Sequence, residues 1–158
     1  MTITSPLHSL VRAFTRRPKM QVHPDTVFEP RLALPRRIDD PVTAPRLACD
    51  LLRNRTEDVT LALYLDDRHR VVGHAVVAVG WVQAARLSAR PILLGSLACR
   101  ASACVLIRYH RWGPSSASLS ERRSYGVITE DCTRQGLVVV DHLVVDGCGG
   151  FTSALART

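Results

Sequence analysis

The prolines of this chain are distributed unevenly, and their positions restrict where a fold can form. Six of the nine prolines lie within residues 1–43. Proline has a fixed φ and no backbone N–H, so this density disfavours both helices and sheet ladders. We therefore predict a disordered, Pro-rich tail over residues 1–44 and one folded domain over residues 45–158, which is long enough to bury a sizeable core.

The tail is also basic, which leaves a second interpretation of it open. No acidic residue precedes Asp25, whereas Arg12, Arg16 and Arg17 lie close together. The whole chain has a net charge of +7, and a basic excess favours loose association with nucleic acid. The tail is therefore either disordered or an arm that docks on a partner, and Arg12, Arg16 and Arg17 are candidate nucleic-acid contacts.

The remaining composition predicts a soluble protein of the bacterial cytoplasm. No apolar run approaches the ~18 residues that a membrane-spanning helix needs, so we expect no membrane association. The five cysteines form no CxxC pair, and free thiols are typical of a reducing compartment. Arginine supplies all but one of the basic residues, which is also what a GC-rich genome produces.

The folded part alternates between apolar runs and segments of helical periodicity. The predicted helices are 46–53, 88–100 and 118–134. The predicted strands are 59–65, 70–79, 103–107, 137–145 and 151–155. Residues 109–117 are predicted to form a loop. The order β-β-α-β-α-β-β, which follows a first short helix, predicts a three-layer α/β or α+β domain.

One motif in this domain has the frame of a zinc-hydrolase site. His110 is followed after seven residues by Ser118, and after two more by Glu121. Ser118 and Glu121 also match a capping box, in which a Ser begins a helix and a Glu three residues later completes the cap. The helix start needs both residues even without a metal, so the two roles remain open.

Several segments together resemble the RadC-like branch of the JAB/MPN metalloprotease family. They are the hairpin at 64–72, the segment 88–91, the strand 103–110, and Asp-His-Leu-Val-Val at 141–145 followed by Phe-Thr-Ser at 151–153. The resemblance implies a JAB/MPN-like (cytidine-deaminase-like) three-layer domain in which helices flank a central mixed sheet. It also implies that the domain can form a homodimer.

The resemblance further implies a zinc site. In that family His-x-His and an Asp hold zinc, a Glu is the general base and a Ser positions the oxyanion. Here the two His positions fall on Arg108 and His110, and the Asp position falls on Glu121. The Glu position falls on Ala75, and the Ser position falls on Ser118. Three protein ligands leave the fourth zinc position open for a water molecule, whose pKa the metal lowers toward ~7.

The substitutions at these positions predict a catalytically degenerate protein. A guanidinium cannot ligate a metal, and Ala75 has no group that accepts a proton. We therefore expect a binding or scaffold module for an unknown protein partner, and association with DNA is a further expectation. The alternative is a residual zinc metallopeptidase or isopeptidase that uses His110 and Glu121.

Three further expectations concern neighbouring side chains. His74 lies beside Ala75, and strand alternation should direct it to the opposite face of the sheet. Arg108 and Glu121 are predicted to form an ion pair in place of the metal. His142 follows an Asp and so resembles half of a catalytic dyad, but packing within a core strand is the predicted role.

A second alternative function rests on residues around the predicted loop. Arg111 and Trp112 lie within it, and Arg122 and Arg123 follow on the next helix. Aromatic rings beside arginines suit single-stranded nucleic acid, because the bases stack and the phosphates pair with the cations. The alternative is an ordinary solvated helix start.

Overall fold

The computed structural model describes residues 36–80 and 88–155. The first part of the predicted tail, residues 1–35, lies outside this description, so its predicted disorder stays a prediction. The last residues assigned to the tail belong to the fold, because Arg37 pairs with Arg70 and the first helix begins at Thr43.

In residues 36–80 and 88–155, three helices and five strands follow one another in the predicted order. The helices are α1 (Thr43–Leu51), α2 (Ala89–Cys99) and α3 (Leu119–Arg134). The strands are β1 (Val59–Leu65), β2 (Val71–Val79), β3 (Ala103–His110), β4 (Val138–Asp146) and β5 (Phe151–Ser153). Element order and type therefore confirm the sequence-based prediction.

The strands form one mixed sheet in the order β2-β1-β3-β4-β5. β1 pairs antiparallel with both β2 and β3, and β4 pairs antiparallel with β5. Among the described strands, only β3 and β4 are parallel, as a crossover through α3 requires. A five-stranded mixed sheet flanked by three helices confirms the predicted α+β class.

The two faces of the sheet carry separate hydrophobic clusters. Leu61, Leu63 and Leu65 pack on the face that α1 covers, whereas Ala62 and Tyr64 pack on the face that α2 and α3 cover. Side chains of a strand alternate between its two faces, so a strand covered on both sides must be apolar throughout. This explains why β1 reads as a continuous apolar run and not as an alternating one.

Several predicted boundaries differ by one to three residues, and one that bears on the site is wrong. The third strand was expected to end at Ile107, before a loop over 109–117, but β3 continues through His110. Arg108 pairs with Thr60 of β1 on one side and with Val144 of β4 on the other. The polar residues therefore extend the strand, because two neighbouring strands satisfy its backbone, and the apolar run alone did not reveal this.

The start of α3 is fixed by the predicted capping box. The Ser118 hydroxyl accepts a hydrogen bond from the Glu121 backbone N–H at 3.2 Å, and the Glu121 carboxylate accepts one from the Ser118 N–H at 2.7 Å. Two N–H groups that have no partner within the helix are thus satisfied reciprocally. This geometry confirms the structural role of both residues.

None of the helices in the described part of the chain is long and apolar enough to span a bilayer.

Gly95 of α2 provides a test of the packing between this helix and the sheet. The Tyr64 ring is fully buried, its hydroxyl donates to the Ile92 carbonyl at 2.9 Å, and a Cβ at Gly95 would overlap it. Gly95→Ala should lower the free energy of unfolding by about 1–3 kcal/mol, as measured by urea denaturation.

The matched control is Gly126→Ala in α3, where nothing lies within 4 Å of the added Cβ. There alanine should raise the free energy of unfolding by roughly 0.5–1 kcal/mol through helix propensity. A Gly95→Ala variant as stable as the parent would contradict the close approach of Tyr64 to α2.

Candidate functional site at the end of the third strand

The residues of the zinc-hydrolase frame lie where the end of β3 meets the start of α3. Leu106 belongs to the cluster beneath α2 and α3, so alternation directs Arg108 and His110 to the same face. Ser118 and Glu121 begin α3 on that side of the sheet. The fold thus carries these positions on two adjoining elements.

Arg108 is a buried cation, and each of its two terminal nitrogens has an acceptor nearby. Only 4% of the residue is exposed. One nitrogen donates to the Gly80 carbonyl at 3.0 Å and lies 3.9 Å from the Asp58 carboxylate. The other lies 3.4 Å from the Thr60 hydroxyl. A buried charge is tolerated only when it is paired in this way.

Asp58 is the residue that sequence reasoning missed. Besides facing Arg108, its carboxylate accepts a hydrogen bond from the Arg111 backbone N–H at 2.9 Å. Its own carbonyl accepts one from the Gly80 N–H at 2.7 Å. Asp58 therefore ties together the start of β1, the end of β2 and the residues that follow β3. The only sequence signal was an acid placed immediately before a buried strand.

His110 keeps the orientation that suits a metal-binding histidine. It is 9% exposed, and its Nδ1 lies 2.7 Å from the Pro114 carbonyl oxygen. A carbonyl only accepts, so Nδ1 carries the proton in the neutral ring and the lone pair is on Nε2. Hydrogen bonds of this kind orient ligating histidines in metal sites.

The predicted ion pair between Arg108 and Glu121 is wrong. Arg108 extends toward Asp58 and Thr60, whereas the Glu121 carboxylate folds back onto the Ser118 backbone in the capping box. Asp58 lies nearer to Arg108, and the backbone N–H groups at the start of α3 satisfy Glu121. These partners compete with a direct pairing of Arg108 and Glu121.

The general-base position is apolar on the site's face of the sheet. Ala75 is 2% exposed and packs in the cluster beneath α2 and α3. Val76, the next residue, packs in the opposite cluster, so alternation places His74 with Val76 and away from the site. The expectation for His74 is therefore confirmed, and it does not substitute for the missing base.

The match to known proteins agrees with this geometry. A family model described as the RadC-like JAB domain matches residues 38–157. The chain belongs to the RadC-like JAB domain family. A UPF0758 protein of Histophilus somni (strain 2336) is 28% identical over 102 residues, which are 65% of this chain and 46% of that protein. The chain thus spans about half the length of the curated relative it matches.

The zinc ion that a JAB domain implies does not fit the residues present at this site. Within residues 36–80 and 88–155, no group of three or more His, Cys, Asp or Glu side chains is placed to hold a metal. At the first ligand position, Arg108 brings a positive charge that opposes a divalent cation. Of the implied ligands, only His110 and Glu121 remain, and Glu121 is engaged in the cap.

A buried histidine lies close to the site of this RadC-like domain. The ring of His142 is fully buried and stacks on Tyr125 of α3, with the ring centroids 3.4 Å apart. Neither ring nitrogen has a hydrogen-bond partner among the described residues. Its position inside β4 is the packing role predicted from the sequence, and not that of a catalytic dyad.

His142 should make the stability of the domain depend on pH. Burial, and to a smaller extent the charge of Arg108, lower its pKa from 6.5 to about 3. Between these values the unfolded chain binds the proton and the folded chain does not, so the free energy of unfolding falls as the pH drops from 6.5 toward 3. The full change is on the order of 5 kcal/mol.

This dependence can be measured by urea denaturation at several pH values. His142→Phe, which keeps an aromatic ring against Tyr125, should flatten the curve. His69→Asn changes an exposed histidine in a turn with φ of 59°, a conformation that asparagine tolerates, and should keep the parental curve. Equal slopes for the parent and His142→Phe would contradict the prediction.

Of the candidate nucleic-acid residues, those near α3 can be placed. Trp112 is 85% exposed, and the Arg111 guanidinium lies 5.1 Å from its ring centroid. Arg122 is half-buried and Arg123 is exposed in the first turns of α3. Arg12, Arg16 and Arg17 lie outside the described residues, so the arm they were predicted to form stays a prediction.

Proposed function

We propose that this chain is a non-hydrolytic RadC-like JAB domain that acts as a binding or scaffold module for a protein partner. One observation carries the proposal: the first metal-ligand position holds Arg108, whose guanidinium is buried against Asp58, Thr60 and Gly80. The cation is part of the folded core, so a zinc ion could bind only after this network was broken.

Electrostatics support the same conclusion. A guanidinium is a cation and has no lone pair to offer a metal. Placing a divalent cation beside it would add like-charge repulsion in a partly desolvated site. Removing Asp58 from Arg108 would leave an unpaired buried charge, which typically costs 3–5 kcal/mol. The ion pair therefore stabilises a state without metal.

The other groups needed for hydrolysis are absent from the site as well. Ala75 stands where the general base would be, and a base of this kind typically contributes ~10²–10⁴ in rate. Burial raises the pKa of Cys104 to about 12 and that of Cys132 to about 11. These thiols remain protonated near neutral pH, so they offer no thiolate nucleophile in exchange.

The state of the cysteines supports a cytoplasmic location as part of this proposal. All five cysteines are free, and Cys148 is exposed. An exposed thiol beside other free thiols suits a reducing compartment. The family resemblance implies that the domain can form a homodimer. As part of this proposal, the module presents its binding surface to a partner in that form.

The proposal is tested by zinc content, measured by mass spectrometry on the purified full chain. The parent and Arg108→Met should both contain far less than one zinc per chain, since methionine removes the charge without supplying an imidazole or carboxylate ligand. The combined variant Ala75→Glu, Arg108→His, Glu121→Asp should bind about one zinc, because it restores a base and three ligands.

The control for this experiment is His110→Ala in the parent. If the parent contained about one zinc per chain and His110→Ala lost it, the site would still be a metal centre and the residual metallopeptidase would be the correct function. A peptidase assay of the parent with added zinc would then show turnover. Zinc-independent turnover that survives His110→Ala would also contradict the proposal.

A second candidate function, binding of single-stranded nucleic acid, is favoured by the exposure of Trp112. A tryptophan that is 85% exposed with Arg111 over its ring offers a face for stacking and a cation for phosphate. Trp112→Ala should weaken binding of a labelled single-stranded oligonucleotide by roughly 5–100-fold, because base stacking contributes ~1–3 kcal/mol.

Fluorescence anisotropy at several salt concentrations measures this effect. Arg123→Ala should lower the slope of log affinity against log salt concentration by the equivalent of about one phosphate contact. Val127→Ala, at another exposed position of α3, should leave binding unchanged. An affinity that is equal in the parent and Trp112→Ala would exclude this surface.

A further inference from the structure

The side of α3 that faces away from the sheet carries apolar residues that remain exposed. Tyr125, Ile128 and Cys132 of this helix pack into the cluster on the sheet. On the opposite side, Leu119 is 66% exposed and Val127 is 59% exposed. The two are eight residues apart, so they lie on the same side of the helix. Exposed apolar residues that share one face, unlike scattered ones, indicate a contact surface.

Gly126 lies on the same exposed face, and the packing of the described residues gives no reason for a glycine there. Nothing lies within 4 Å of a Cβ added at this position. Glycine is unfavourable in a helix interior relative to alanine, but it lets a second backbone approach closely. Gly126 and Val127 are the two central residues of the 16-residue helix. The closest approach of another chain would thus fall at the middle of α3.

The charges of α3 change sign about this centre. Arg122 and Arg123 precede it, whereas Glu130 and Asp131 follow it. Arg123 is exposed, and no acid in residues 36–80 or 88–155 pairs with it. The Glu130 carboxylate lies 3.5 Å from Arg134, with side chains that are 72% and 70% exposed. A pair this exposed contributes little, so Glu130 is available to a second cation.

We propose that the exposed face of α3 binds the same face of a second copy of this chain, with the two helices antiparallel. In a two-fold contact, residue i of one copy meets residue j of the other, and j meets i. Arg123 and Glu130 lie equally far from the centre of the helix. Each Arg123 therefore faces the Glu130 of the other copy, which gives two identical ion pairs.

The same face argues against the other arrangements and occupants. Two parallel helices would place Arg123 beside Arg123 and Glu130 beside Glu130, and like charges repel. A strand of nucleic acid or an acidic peptide would match the cationic half of the face but would be repelled by Glu130. A second copy supplies both signs of charge at the positions where each is needed, so it fits the whole face.

The apolar residues fit the antiparallel arrangement as well. At the centre, Gly126 and Val127 of one copy meet Gly126 and Val127 of the other. Packed helices lie 8–10 Å apart, depending on the side chains at the contact, and the glycines favour the short end of this range. At each end, Leu119 lies opposite Arg134 of the other copy, whose aliphatic stem can cover a leucine.

The size of the face sets the strength of the dimer. A helix of 16 residues is about 24 Å long and about 10 Å wide. Its exposed side is smaller than the ~800 Å² that each partner buries in a standard interface. We therefore expect a weak dimer that depends on protein and salt concentration. The proposal deepens the proposed function, on which it rests, because it names the surface through which the homodimer forms.

The test is sedimentation velocity of the full chain over a series of protein concentrations. The parent should dimerise, and more weakly at high salt. Arg123→Glu and Glu130→Arg each place like charges at both symmetric contacts, and each should weaken the dimer by roughly ten-fold or more. The combined variant exchanges the two charges and should restore the dimer. Arg90→Glu, at an exposed position of α2, makes the same charge change elsewhere and should have no effect.

Gly126→Gln tests the close approach at the centre of the face. Glutamine favours a helix more than glycine does, so the dilute, monomeric chain should remain folded and at least as stable. The longer side chain should separate the two helices and weaken the dimer by roughly ten-fold, because the apolar contact and both ion pairs lengthen. A dimer as strong as that of the parent would contradict the central position of Gly126.

Three other outcomes would overturn the proposal. A parent that stays monomeric at every concentration would show that the face does not bind a second copy. A dimer that survives both charge reversals, or that the combined variant fails to restore, would form through another surface. A monomeric parent whose α3 NMR signals shift on addition of an oligonucleotide would assign the face to nucleic acid. None of these readouts depends on zinc content or turnover, so the non-hydrolytic function is tested separately.

Discussion

The fold depends on the complete burial of its two central strands. Every residue of β1 and β3 is buried. Helices cover both faces of the sheet, and each of these two strands has a neighbouring strand on both sides. A polar residue in such a strand must find its partner inside the protein. Arg108 meets this constraint through Asp58, which lies at the start of the neighbouring strand. The composition of the site therefore follows from the position of β3 within the sheet.

Arg108 stands where the family resemblance implies a His, and local hydrogen bonds form the framework around it. His110 keeps a hydrogen bond on Nδ1, and Ser118 and Glu121 keep the helix cap. These interactions are local and stabilise the loop and the helix whether or not a metal is bound. The framework around Arg108 is therefore held by hydrogen bonds within the protein.

The sequence predicted the elements well because their signals are local. The apolar runs of β1 and β4, the capping box of α3 and the family motifs all lie within short windows, and the structure places each of them as expected. The interactions that define the site join distant residues, and they were missed. Asp58 and Arg111 are 53 residues apart, and no periodicity relates them.

Two errors have the same physical origin. The pairing of Arg108 with Glu121 was inferred from ligand positions, yet each residue has a closer partner. The early end predicted for β3 followed from its polar residues, whose backbone groups are satisfied by strands on both sides. Neither outcome can be read from the sequence, because each depends on which strands become neighbours in the sheet.

Asp58 is far in sequence from Arg108 and Arg111, and this separation bears on the order in which the chain folds. The β1–β2 hairpin closes a short loop and can form early, whereas β3 must return across α2 before it pairs with β1. Until then, Asp58 has no cationic partner from that strand and β1 has one open edge. Burial of Arg108 therefore marks the pairing of β3 with β1, and damage at this contact would act on that step more than on the hairpin.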